Sequence, residues 1–295
     1  MGMFGSMRVP SFAGATSWSN TERIRASDLV GKVVLVNFWT FTCINWLRQE
    51  PYVRAWSRAY RDDGLVVIGV HTPEFGFEHD VPSIERAITR FDIDYPVAVD
   101  SEYGVWSAFA NHYWPALYFI GREGMIVDQH FGEGRYEESE RVIQQLLGIE
   151  RPLTTVRGEG IEAEADWDTL NTPETYLGRE RGHQSRDWGV TGTWSDAGEY
   201  LALDQAGGGI HFTFRARDVH LVMRPGTGGP VPFRVTLDGA APGASHGEDV
   251  DADGNGMLDE GRLWQLIRVA DDVRERTVEV TFDAAGAATY CFTFG

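Results

Sequence analysis

The sequence predicts two domains of different class: an α/β domain, a mixed sheet with flanking helices, over residues 1–150, and an all-β, jelly-roll-like sandwich over 165–295. Three observations predict it. The 295 residues exceed the roughly 100–200 of a typical single domain. The first half alternates continuous apolar runs with amphipathic stretches of helical length. The second half has only short, often alternating apolar runs separated by Gly, Pro and Asp.

Taken in order, Lys32–Trp39 is a nearly unbroken apolar run, as expected of a strand covered on both faces. A helix follows from Cys43 to Asp63, ended by Asp63-Gly64. Leu65–Val70 is a second buried strand, and Ser83–Phe91 a helix with Ser83 as its N-cap. Ala116–Ile120 and Met125–Phe131 flank Gly121-Arg-Glu-Gly124 as a hairpin. Tyr136–Leu147 is a helix stopped by Gly148. Residues 151–164 lack periodicity and are expected to be a linker. Strands are then expected at 201–203, 210–216, 219–223, 232–237, 263–269, 277–282 and 288–294.

Composition excludes several classes of function. Forty-four acids against 26 bases leave a formal charge of −18. Nucleic acid and anionic membrane surfaces both require clustered Lys and Arg, so neither is an expected partner. Two cysteines, Cys43 and Cys291, cannot build a disulfide framework. No window approaches the roughly 18 apolar residues of a membrane-spanning helix. Met1–Asn20 holds one Arg and no apolar core of a secretory signal. The chain as written is expected to be cytoplasmic, or extracytoplasmic if an upstream segment has been removed.

Cys43 stands where the first buried strand gives way to the first helix. There the unpaired N–H groups and positive end of the helix favour thiolate. Thr40 and Thr42 supply nearby hydroxyls. Asn37-Phe-Trp-Thr-Phe-Thr-Cys-Ile-Asn-Trp46 resembles the active-site segment of thioredoxin-fold proteins, in particular the TlpA/ResA type and the C-terminal part of DipZ-like proteins. Pro51 matches that family's helix proline, and Trp114-Pro115 its cis-proline, which implies a substrate groove facing the sulfur. Val70-His-Thr-Pro-Glu74 resembles the segment carrying the family's active-site Glu, which implies that Glu74 handles protons. Thr172–Gly178 and the ending Phe-Thr-Phe-Gly295 resemble the β domain of DipZ-like proteins, described as carbohydrate-binding-module-like.

Two residues depart from that pattern. Trp46 replaces the second cysteine of the motif, which in such enzymes resolves the mixed disulfide made by the first. Asn37 stands where many thioredoxins carry a buried acid. Three functions follow as alternatives. The first is a monothiol oxidoreductase in which Cys43 forms mixed disulfides with thiol or disulfide proteins, released by a low-molecular-weight thiol or a partner protein. The second is a thiol peroxidase, suggested by Thr40 three residues before Cys43, with peroxide oxidising the thiol. The third is a non-catalytic binder of peptides or glycans. Expected substrate contacts are Trp39, Thr42, Trp46, Trp114 and Pro115, the tryptophans forming a rim around the sulfur. Cys291, in an alternating strand, is expected to be a core residue, and a Cys43–Cys291 disulfide is not expected.

Asp249–Glu260 matches a calcium-loop pattern: Asp249, Asp251 and Asp253 at positions 1, 3 and 5, the Asn255 carbonyl at 7 and Glu260 at 12. No flanking helices are evident, and Gly256 replaces the usual apolar residue. A possible Ca2+ is therefore weighed evenly against a solvated acidic turn, and no cofactor is required for the chemistry at Cys43. The eight histidines show no metal-ligand spacing. Trp167, Trp188, Trp194 and Trp264 are candidates for a sugar platform, with core packing the expected role for most of them.

Overall fold

The sheet of the first unit has six strands: β1 Ser17–Ser19, β2 Val33–Trp39, β3 Leu65–His71, β4 Val97–Val99, β5 Ala116–Ile120 and β6 Ile126–Phe131. Their spatial order is β1-β4-β3-β2-β5-β6. The strands β2, β3 and β4 run parallel, while β1, β5 and β6 pair antiparallel to their neighbours. The computed structural model describes residues 7–182 and 187–295, and the chain divides into units at Glu162/Ala163.

Every residue of β2 is buried, so both faces of the central sheet are covered, as its continuous apolar run requires. Val34, Val36 and Phe38 join Phe12, Ile68, Val70, Phe109 and Tyr118 in one core layer. The helices are α1 Ile44–Tyr60, α2 Val81–Arg90, α3 Gly104–Ala108 and α4 Tyr136–Leu147. The N-cap of α2 is Asp80, whose carboxylate accepts from the Ser83 amide at 3.0 Å, so that helix starts three residues before the expected Ser83 cap. Residues 17–19 and 97–99 are three-residue strands, too short for an apolar pattern to announce them.

The segment 151–162 does not behave as the expected linker. It packs on the first unit. Glu140 of α4 accepts from Trp56 Nε1 at 3.0 Å, from Tyr60 Oη, and from the Thr154 amide at 2.8 Å. Arg151 lies 4.2 Å from the centre of the Tyr60 ring and pairs with Asp63 at 3.1 Å. Glu162 pairs with Arg54 at 3.5 Å. Polar side chains and a cation–π contact take part in this packing, and such contacts leave no apolar periodicity to reveal it.

The second unit contains β7 Thr175–Tyr176, β8 Trp188–Thr191, β9 Trp194–Asp196, β10 Leu201–Leu203, β11 Gly209–Phe214, β12 Asp218–Arg224, β13 Val231–Leu237, β14 Asn255–Leu258, β15 Arg262–Arg268, β16 Arg276–Phe282 and β17 Ala288–Phe294. One sheet has the order β15-β12-β17-β10-β9, with β7 on β17; the other has β14-β13-β16-β11-β8. All of these pairings are antiparallel. From β10 to β13 and from β14 to β17, successive strands alternate between the sheets. The four strands β10-β17-β12-β15 of one sheet and β11-β16-β13-β14 of the other are thereby connected as a jelly roll. Phe212, Phe233, Trp264, Phe282, Phe292 and Phe294 fill the space between the sheets.

Candidate active site around Cys43

Cys43 is the N-cap residue of α1, in an extended conformation (φ −78°, ψ 111°). Its carbonyl accepts the first helical bond, from Leu47 N at 3.0 Å. The side chain makes no cap bond, and the residue is half-buried at the positive end of the helix. The Trp114–Pro115 peptide is cis. Trp114 Nε1 donates to the Thr72 carbonyl at 3.0 Å, and the indole packs on Trp106 at 4.3 Å. Pro115 is buried, and its carbonyl accepts from Gly132 N at 2.9 Å.

The tryptophan rim expected around the sulfur is not there. Trp39 and Trp46 are both fully buried, stacked with ring centres 4.3 Å apart and an interplanar angle of 22°. Residue 46 lies in the first turn of α1 on the side that faces the sheet, and Trp39 ends β2 beneath it. The rings of His71 and Trp39 meet perpendicular to one another at 4.8 Å, and Phe91 meets Trp46 at 5.5 Å. Gly69 makes room for the stack, since a Cβ there would lie 2.9 Å from Trp39 Nε1 and 3.0 Å from the Tyr95 ring. Of the three proposed rim residues, only Trp114 is partly exposed.

The acid nearest the motif also differs from expectation. Glu78, not Glu74, is buried against it. Its carboxylate accepts from Thr42 Oγ1 and from the amides of Glu74 and Phe75, the last at 2.9 Å. Glu74 is half-buried and approaches through its backbone. Burial, and then the Glu74 charge, push the Glu78 carboxyl up to about 7, against the opposing hydrogen bonds from Thr42 and Phe75. The signal that could have found Glu78 is its place three residues into the short 3-10 turn Gly76–His79, where its carboxylate can reach back to the amides before that turn. Thr42 is thus buried as a partner of this acid and does not line an open groove.

Beneath the motif lies a second buried acid. Glu50 on α1 is fully buried and accepts from Tyr95 Oη at 2.7 Å. Desolvation raises its carboxyl to about 8, with Tyr95 and Arg54 opposing. Burial also lowers His71, the last residue of β3, to about 3, so its ring is neutral. Asn37 is buried and uncharged at the centre of β2.

The acidic loop of the second unit does not gather a calcium set. Asp249 pairs with Arg262 at 2.6 Å and accepts from the Gln265 amide. Glu260 pairs with the same arginine at 3.1 Å. Asp251 turns into its own loop, accepting from the amides of Asp253 and Asn255. Residues 255–258 form β14 and pair with β13. Gly256 is needed because a Cβ there would lie 2.2 Å from the Phe233 ring. The pattern's odd glycine thus serves sheet packing, and among the described residues no group of three His, Cys, Asp or Glu could hold a metal.

Trp264 is in the sandwich core, and Trp188 and Trp194 pack against it; Trp167 is exposed. A four-tryptophan sugar platform is therefore not assembled. Cys291 is buried in β17, and no disulfide joins it to Cys43. Among the described residues no helix is long and apolar enough to cross a membrane.

Comparison with known proteins matches residues 7–129 to the AhpC/TSA family and residues 172–295 to a thioredoxin-like C-terminal domain. The chain is 33% identical over 257 residues to protein DipZ of Mycobacterium tuberculosis, which covers 78% of this chain but only 36% of DipZ. It is 31% identical over 126 residues to the thiol-disulfide oxidoreductase YkuV of Bacillus subtilis, covering 43% of this chain and 83% of YkuV. A solved thioredoxin-like protein in the oxidised form is 28% identical, with a TM-score of 0.45 over 49% of this chain and 98% of its own.

Proposed function

Because the chain belongs to the thioredoxin-like family of thiol-disulfide oxidoreductases, we propose that it exchanges disulfides through one nucleophile, Cys43. The observation that carries this reading is the half-buried Cys43 at the start of α1, with a buried indole, Trp46, at the position where a resolving thiol would stand. The Cys43 thiolate attacks a substrate disulfide. A bond forms from Cys43 to one substrate sulfur, and the other sulfur leaves as a thiolate that takes up a proton. No second thiol exists in the motif to break the new bond, so an external thiol must do so.

Glu78, rather than Glu74, is the acid suited to that proton step. A carboxyl titrating near neutral pH can both give and accept a proton at working pH, and it holds Thr42, the residue before the nucleophile. Glu78→Gln is expected to remove an inflection near pH 7 from the pH profile of Cys43 alkylation. It should also slow exchange on the order of 10²-fold, the low end of what a positioned acid contributes. An unchanged profile would show that Glu78 serves packing alone.

Alkylation tests the nucleophile itself. In the folded chain iodoacetamide is expected to label Cys43 and leave Cys291, which is 1% exposed, unmodified. The rate should rise with a midpoint below the free-thiol value of about 8.5. Equal labelling of both cysteines, or a midpoint at the free value, argues against an activated Cys43.

A further inference from the structure

Two consecutive residues of α1 reach the loop after β6. Arg48 Nη1 lies 3.1 Å from Glu133 Oε1, with the two side chains only 2% and 6% exposed. Gln49 Nε2 donates to the Gly132 carbonyl at 3.1 Å. Gly132 in turn donates its amide to the carbonyl of Pro115 at 2.9 Å. The helix that begins at Cys43 and the cis-proline peptide are thus tied together through one short loop. Arg48 is five residues after the nucleophile.

A buried ion pair is a poor device for stability, because the cost of desolvating both charges is comparable to their attraction. An apolar pair of the same volume would pack as well. What the pair adds is direction, since a guanidinium fixes its carboxylate partner in a defined geometry. We propose that the Arg48–Glu133 pair is a positioning device that sets the Pro115 wall at its distance from Cys43, so that the site captures extended protein segments carrying a disulfide. The proposal rests on the thiol-exchange reading and deepens it. A small disulfide needs only the thiolate; an extended segment also needs the wall.

The test follows formation of the Cys43 mixed disulfide in the full chain, with insulin as the protein disulfide and 5,5′-dithiobis(2-nitrobenzoate) as the small one. Glu133→Gln keeps size and one hydrogen bond while removing the charge. The half-saturating insulin concentration is expected to rise about 10-fold, equivalent to about 1.4 kcal/mol of lost capture. The limiting rate and the small-disulfide rate should not change. The swapped pair, Arg48→Glu with Glu133→Arg, should recover part of the insulin affinity. Equal slowing toward both disulfides, or an unchanged insulin dependence, overturns the proposal while leaving the nucleophile in place. If the wild-type chain reacts with neither disulfide, the thiol-exchange reading falls. Hydrogen exchange then decides the positioning claim: faster exchange of the Gly132 amide in Glu133→Gln upholds it, and unchanged exchange overturns it.

Discussion

Trp46→Cys is expected to turn a chain that stops at mixed disulfides into one that reduces insulin repeatedly when dithiothreitol is supplied. Residue 46 is three positions after Cys43, in the first turn of α1. Residues three apart on a helix share a face, and that separation falls within the Cα distance a disulfide tolerates. The new thiol would attack the mixed disulfide and release substrate. The same change removes a fully buried indole from its stack on Trp39. Large-to-small substitutions of this kind cost about 3–5 kcal/mol, so the variant should melt well below wild type. Gain of turnover together with lower stability is the expected pair of results. A folded variant without turnover would contradict an exchange-competent scaffold.

The second large effect concerns pH. Glu50 has its carboxyl raised to about 8 by burial, whereas in the unfolded chain it titrates near its ordinary value of 4.5. Between these values the folded chain holds a proton that the unfolded chain has lost. Stability therefore falls as pH rises through this window, by about 1.4 kcal/mol per pH unit for one such group. Glu78 adds a change of the same sign up to about pH 7. The groups facing Glu50 are Tyr95, Arg54, Arg58 and Glu162, and of these Glu162 reinforces the shift while the side-chain bond from Tyr95 and the two arginines oppose it. Denaturant unfolding from pH 5 to 8 should show a declining wild-type stability and a flatter line for Glu50→Gln. Parallel lines for the two proteins would show that Glu50 is ionised in the folded state.

Much of this was legible in the residues. The nearly unbroken apolar run of β2, followed four residues later by a cysteine that opens a helix, defines the α/β unit. The alternating short runs after residue 200 define the sandwich. The parts that were not legible share a physical cause, because each depends on which way a side chain points. Trp39 and Trp46 flank the nucleophile in sequence, yet a strand end and a helix first turn direct both indoles inward. Glu74 and Glu78 are equivalent as letters, and only the short turn between them brings the second carboxylate to Thr42. Asp249–Glu260 satisfies a calcium pattern position by position, but Arg262 takes two of its carboxylates and β13 takes its second half as a strand. The polar contacts and the cation–π contact of residues 151–162 leave no periodic trace.

The central claim is that Cys43 acts alone and cannot complete exchange within its own motif. Mass spectrometry of the full chain after brief exposure to insulin, quenched with acid, tests it most directly. The expected result is one covalent adduct per chain, mapped to Cys43, that persists until glutathione is added and then disappears. An adduct that resolves without added thiol, or the absence of any adduct at Cys43, would contradict it.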